Sequence, residues 1–376
     1  MKMTVLRFFL LFLTTAGLSS GSTQALPASD EWPMFRGNPS LNGLVSGEID
    51  DNPQLLWTYE TGDMVKSSAA IKAGKVYIGS YDEALHCIDF KTGKGLWKFP
   101  TEGPVESSPL VKWDRVYFGS GDGFLYAVDE KGEESWKYET YDQILGSPNW
   151  TEAGGKKQIL IGGYDAFLHS LEASTGKTNW VYETGNYING SPALDSGVTV
   201  FGGCDALLHS ISVATGKKAA EVDAGAYVAG SVALEDGKAY FGHYDNEFQC
   251  IDTKTGKVIW KYFDRAFPYF STPAVTKTQV IFGGRDRRLH CVDKKTGESI
   301  WTFSTRGKID SSPIVVKNRV VIGSEDGTLY MVDLESGEEV WSYEIGEPIT
   351  SSPAIASGII IIGCDDGNVY AFGPQS

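Results

Sequence analysis

Four histidines share one spacing from an aspartate. His86, His169, His209 and His290 follow Asp82, Asp165, Asp205 and Asp286 by four residues. Imidazole beside carboxylate is a pairing that serves proton transfer and metal ligation. The same slot holds Tyr126, Tyr330 and Tyr370, after Asp122, Asp326 and Asp366. The spacing therefore belongs to a repeat, and each histidine falls in a different structural unit. They are read as structural, and no metal site is assigned to them. The aspartates recur at eight Gly-x-x-Asp turns, where a short carboxylate bonds local backbone N–H groups. Asp365-Asp366 alone lacks the six to eight oxygens that calcium takes. His243 lies on a turn instead, and it is kept as a candidate binding residue. The five cysteines, Cys87, Cys204, Cys250, Cys291 and Cys364, form no CxxC and no adjacent pair. They are expected to be buried, unpaired packing thiols, with one disulfide as the alternative. No Gly-x-Ser-x-Gly elbow, HExxH or P-loop occurs, so no catalytic residue is assigned.

The elements that carry these residues repeat about every 40 positions. Trp57, Trp97, Trp136, Trp180, Trp260, Trp301 and Trp341 mark the period, and Ala220 stands where an eighth indole is missing. One unit reads as four strands. They are a short Ser-Pro strand, a β-branched and aromatic strand ending in Gly, a third strand after the aspartate turn, and a fourth bearing the Trp. A period near 40 with only strand patterning means a propeller blade. The inner-strand signal and the aspartate turn each occur eight times. The last unit stops after its third strand, so residues 54–59 must supply its fourth. The prediction is an all-β, eight-bladed propeller of four-stranded antiparallel blades spanning 54–376. An N-terminal strand closes its ring, and residues 26–53 lead into it.

In such a disc, the connections between blades and the second-to-third-strand turns emerge on one face. Those segments vary most and hold Tyr141, Tyr187, Tyr227, Tyr244, Phe267 and Tyr269, with Arg265, Arg285, Arg287, Arg288 and Arg306 clustered over blades five to seven. Together with His243 these form the candidate binding face, because aromatics and Arg are enriched where partners dock. The bland alternative is aromatics packed between blades and Arg paired with nearby acids.

The eleven residues from Cys291 through Asp293, Thr296 and Gly297 to Trp301 resemble the tryptophan-docking motif of pyrroloquinoline-quinone-type (PQQ-like) repeat propellers. The spacing recurs from Cys87 to Trp97, Ser170 to Trp180, Cys250 to Trp260 and Met331 to Trp341. The resemblance implies docking roles for all seven Trp residues. It points to two branches. One is the quinoprotein dehydrogenases, which oxidise alcohols or sugars with the quinone and calcium. The other is the non-catalytic BamB-type scaffolds of outer-membrane assembly. The first often uses an adjacent Cys-Cys pair, and the second a lipobox cysteine; this chain has neither.

Composition narrows the partners. Of 376 residues, 33 are Lys or Arg and 48 Asp or Glu, a net charge of −15. This disfavours nucleic acid, whose binding rests on neutralised phosphates. Residues 1–25 place Lys2 and Arg7 before an apolar run and end in Thr23-Gln24-Ala25, which reads as a cleavable signal peptide. The run is too short to span a bilayer. The expected product is a periplasmic or secreted, monomeric, non-catalytic propeller, with no cofactor, that binds or scaffolds a protein, peptide or glycan through its inter-blade loop face. The alternative is a PQQ-dependent oxidoreductase of alcohols or sugars, with PQQ and calcium.

Overall fold

The computed structural model describes residues 30–375; the predicted signal peptide lies outside them. Every regular element among these residues is a β-strand. Eight antiparallel sheets form the blades. Blade one comprises Ala70–Lys72, Lys75–Ser80, Ala84–Asp89 and Gly95–Pro100, running from the channel outwards. Blade eight supplies Ala354–Ala356, Ile359–Gly363 and Asn368–Gly373, and its outer strand is Gln54–Glu60, antiparallel to the last of these. The ring is thus closed by the N-terminal strand, which covers an edge that would otherwise offer unpaired N–H groups to other chains.

Each blade is buried through its middle two strands, where Val, Ile, Phe and Tyr pack between neighbouring sheets. The third and outer strands are offset by a bulge that sets the Trp opposite the motif's first residue: Cys87 faces Trp97, Cys250 faces Trp260 and Cys291 faces Trp301. Six indole N–H groups donate to a carbonyl of the next blade, as from Trp260 to Lys294 O at 3.0 Å and from Trp136 to Ala173 O at 3.0 Å. The ring lies on that blade's turn glycine. A Cβ on Gly297, whose φ is +74°, would come within 2.6 Å of the Trp260 ring. At Ala220 the indole is absent, and Val222 covers Gly256 instead.

The inner strands bond to one another through hydroxyls. The backbone N–H of Ser68 donates to Ser108 Oγ, Ser108 to Ser147, Ser147 to Ser191, and so on around the channel to Ser352, which donates back to Ser68. Seven such bonds form. The gap lies between blades five and six, where Gly230 meets Phe270 so closely that a Cβ would stand 2.1 Å from its carbonyl oxygen. The proline at these sites costs no ladder bond, because the strand is an edge facing the channel.

The segment before the first long strand does more than lead into it. It crosses one end of the channel and bonds the inner strands in turn. Trp32 bridges Ile71, and Pro33 O accepts from Val111 N. Pro39 O accepts from both Asn149 and Leu194, Ser40 O from Leu234, Asn42 O from Val275, and Gly43 O from Val315. Leu44–Val45 then adds to blade seven as a parallel fifth strand. Arg36 is buried in this plug and donates to the carbonyls of Ser312 (3.0 Å), Pro273 (3.1 Å) and Pro313 (2.5 Å). Burial pulls its guanidinium down to about 9, so it stays charged at neutral pH. The segment therefore ties the inner strands of seven blades together across one end of the channel.

Candidate binding face

The eight turn residues just before the aspartates form a ring at the open mouth: Tyr81, Gly121, Tyr164, Cys204, Tyr244, Arg285, Glu325 and Asp365. Each backbone N–H of this ring is held by a carbonyl of the preceding inter-blade loop, as Tyr244 N by Tyr227 O and Arg285 N by Pro268 O. Rigid sheets thus fix the loops. The side chains meet across blades. Tyr164 stacks on Tyr187 at 5.0 Å, Tyr227 meets Tyr244 edge-on at 6.3 Å, Tyr244 meets Phe270 at 4.6 Å, and the Arg285 guanidinium lies 4.1 Å over Phe270. Burial pushes the Tyr164 phenol up, with help from the charges of Cys204 and Glu106.

Exposure follows the prediction in part. Tyr141 is 91% exposed, and Tyr187, Tyr227, Tyr244 and Phe267 are also exposed; Phe263, which the sequence reading did not single out, is 61% exposed. These are six of the large exposed apolar side chains, all in the connections and turns from blade two to blade six. Tyr269 and His243 are exceptions that need correction: each is only 1% exposed. Tyr269 occupies the slot that holds Val or Ile in other blades and packs against Phe248 and Phe282. His243 is a core histidine bonded to Gln249 and to the Asp245 N–H, and burial lowers its pKa.

The arginines divide. Arg285 makes a bidentate pair with Asp310, the shortest contact 2.6 Å, and Arg288 pairs with Asp264 at 3.0 Å. Arg306 lies 3.7 Å from Glu344. Arg265 and Arg287 are exposed, and neither is ion-paired among the described residues. The bland alternative thus holds for Arg285 and Arg288, and the free positive charge sits on Arg265 and Arg287.

The repeated histidines share one hydrogen-bonded setting in four separate blades. In blades one, three, four and six the outer-strand Tyr of the preceding blade (Tyr59, Tyr138, Tyr182, Tyr262) bonds histidine Nδ1, while Nε2 bonds the turn aspartate. All five cysteines are free. Burial raises Cys87, Cys291 and Cys364 to about 12 and Cys250 to about 11, so these thiols are unreactive.

These features define a class: a plugged eight-bladed propeller presenting a rigid, aromatic loop face. A family profile described as outer membrane protein assembly factor BamB matches residues 42–262 and 268–376, and the chain belongs to that family. Solved structures share the fold at low identity. BamB from Moraxella catarrhalis is 16% identical, with 86% of this chain and 100% of that one covered and a TM-score of 0.70. Quinohemoprotein alcohol dehydrogenase from Comamonas testosteroni is 15% identical, with 92% and 82% covered and a TM-score of 0.78. The computationally designed Ika8 protein is 17% identical, with 85% and 100% covered and a TM-score of 0.76. No curated protein sequence matches.

Because dehydrogenases share the fold, the mouth can be tested for calcium and quinone. Three of its acids are already engaged: Glu106 accepts from Tyr81 at 2.5 Å, Asp310 holds Arg285, and Asp365 accepts from Thr350 at 2.9 Å. Among the described residues the one converging group of three acid, His or Cys ligands is Asp264, Asp286 and His290, which includes the turn aspartate next to Arg285 of this ring. That donor set does not fit calcium, which takes six to eight oxygens.

Proposed function

We propose that this protein is a non-catalytic propeller, exported from the cytoplasm, that docks a polypeptide partner on its loop face in the assembly of outer-membrane proteins. The docked tryptophans and the plug make the wheel stiff, so the loops lose little entropy when a partner binds. The observation that carries the reading is the run of exposed Tyr and Phe from blade two to blade six beside two unpaired arginines, on a chain of net charge −15. Such a surface suits an extended segment with aromatic and acidic side chains. The propeller acts as a monomer.

The test is titration with a fluorescently labelled, urea-unfolded outer-membrane β-barrel polypeptide, diluted into the purified protein and read by anisotropy. Saturable binding weakened at least tenfold by Arg265→Glu with Arg287→Glu is expected. Binding that ignores these changes removes the face from the account. Parallel titration with pyrroloquinoline quinone and Ca2+ addresses the oxidoreductase alternative; stoichiometric uptake with dye-linked alcohol oxidation would replace the scaffold reading. A glycan array in the same buffer separates sugar binding from polypeptide binding.

A further inference from the structure

The junction between blades five and six breaks the repeat in two ways. In seven of the eight connections between blades, a Val or Ile (Val65, Val105, Ile144, Ile188, Val228, Ile309, Ile349) follows the Trp position by eight residues. Between blades five and six the residue is Tyr269, nine residues after Trp260. The extra residue lets the loop carry Asp264 to the third strand of blade six. There Asp264, Asp286 and His290 place one ligand atom each within 4.8 Å of the others, the only such group of three among the described residues. Asp286 and His290 are buried, with side chains 1% and 0% exposed.

The second break is in hydrogen bonding. In six other blades both oxygens of the turn aspartate are bonded. Asp165 Oδ1 accepts from Phe167 N and Oδ2 bonds His169; Asp205 accepts from Leu207 N and Gly185 N beside His209; Asp82, Asp122, Asp326 and Asp366 are likewise filled. Asp286 Oδ1 meets His290 Nε2 at 3.1 Å, but Oδ2 is buried with no partner, and so is the Tyr269 hydroxyl. Two buried polar atoms left unpaired at one blade junction are costly unless something fills them. The space is tight as well. A Cβ on Gly284 would stand 2.5 Å from Asp286 Oδ1, 3.1 Å from His290 Nε2 and 3.1 Å from the Tyr269 ring.

We propose that Asp264, Asp286 and His290 form a binding site for one first-row divalent metal ion, Zn2+ fitting the donor set best. One imidazole and two carboxylates suit Zn2+ and are too few for Ca2+. Tyr262 holds His290 Nδ1 at 3.0 Å and so fixes the ring with Nε2 towards the acids, the outer-shell arrangement of metal-bound histidine. The ion takes the Nε2 lone pair and the ring's N–H sits on Nδ1, donating to the Tyr262 hydroxyl oxygen; a neutral Nε2–H ring reaches this by tautomerising, an imidazolium by giving its Nε2 proton to solvent, and Asp286 Oδ2 gains a partner. The fourth position falls to water, with the Tyr269 hydroxyl close to the group. Arg288, now on Asp264 at 3.0 Å, is the competing cation. Binding clamps the loop 263–270, which carries Arg265 and Phe267, onto blade six.

The experiment uses full-length mature protein stripped by EDTA and dialysed into metal-free buffer. Calorimetry with ZnCl2 alone is expected to give one ion per chain with micromolar or tighter affinity, and Co2+ substitution a visible d–d band. Asp264→Asn, at an exposed residue whose change leaves the core intact, should weaken Zn2+ at least tenfold. His209→Gln, in the corresponding triad of blade four, should leave it unchanged. Absence of stoichiometric binding, or affinity indifferent to Asp264→Asn, overturns the site. His290→Gln is read for stoichiometry only after circular dichroism confirms folding.

Discussion

Removing the Arg36 side chain is the sharpest test of the plug. Arg36→Ala deletes three charge-assisted bonds to the carbonyls of Ser312, Pro273 and Pro313. Bonds to charged groups contribute about 1.5–3 kcal/mol each, so the gross loss is about 5–9 kcal/mol. Relief of the buried charge and of the unpaired Nε offsets part of it. The net cost should be about 4 kcal/mol, in line with breaking a buried ionic contact. An unfolding entropy of about 2.1 cal/mol/K per residue over roughly 340 residues is about 0.7 kcal/mol/K. The expected fall in Tm is therefore about 6 °C by calorimetry. Arg36→Lys should fall in between, keeping the charge and losing the fork. A drop under 1 °C for the alanine variant would mean that the segment merely lies in the channel mouth without holding the blades.

The remaining expectations concern the wheel and its buried groups. Trp260→Ala should cost about 3–5 kcal/mol, because the ring is 7% exposed and its N–H is bonded to Lys294 O; urea titration measures it, and a midpoint within error of wild type refutes the role. Deleting residues 30–60 strips the plug and the outer strand of blade eight together, so the product should be insoluble; a soluble, cooperative, monomeric product contradicts the closure. Burial lowers the pKa values of His86 and His243, so they stay neutral in the fold while the unfolded chain takes up protons. Stability should be full above about pH 6.5 and fall as pH drops below it. His243→Gln should flatten that slope in denaturation series from pH 7 to 5, and an unchanged slope counts against it.

The blade count, the closing strand and the indole contacts were legible in sequence because each depends on period and residue type alone. A Trp ten positions after a small residue, above a Thr-Gly turn, leaves one packing solution, and eight inner-strand signals with seven following fourth strands leave one topology. The plug was not legible. Residues 30–45 carry no strand alternation, and their conformation is set by the inner-strand N–H groups that receive their carbonyls. Tyr269 was misplaced because its loop position promised exposure, whereas one added residue turned it into the aliphatic slot. That substitution was itself the signal for the Asp264 cluster. His243 failed for a related reason: a turn residue is exposed only if its neighbours leave it so, and Gln249 covers it. The arginine pairs depend on loop geometry at the scale of a few ångströms, which a single sequence does not fix.

The proposed function rests on the loop face serving as a polypeptide dock. Its most direct test is the anisotropy titration of unfolded β-barrel polypeptide against wild type and the Tyr141→Ala, Arg265→Glu, Arg287→Glu triple variant, with equal Tm verified for both. Saturable binding by wild type and at least a tenfold loss in the variant are predicted. Equal affinity for the two proteins, or uptake of pyrroloquinoline quinone in place of polypeptide, contradicts it.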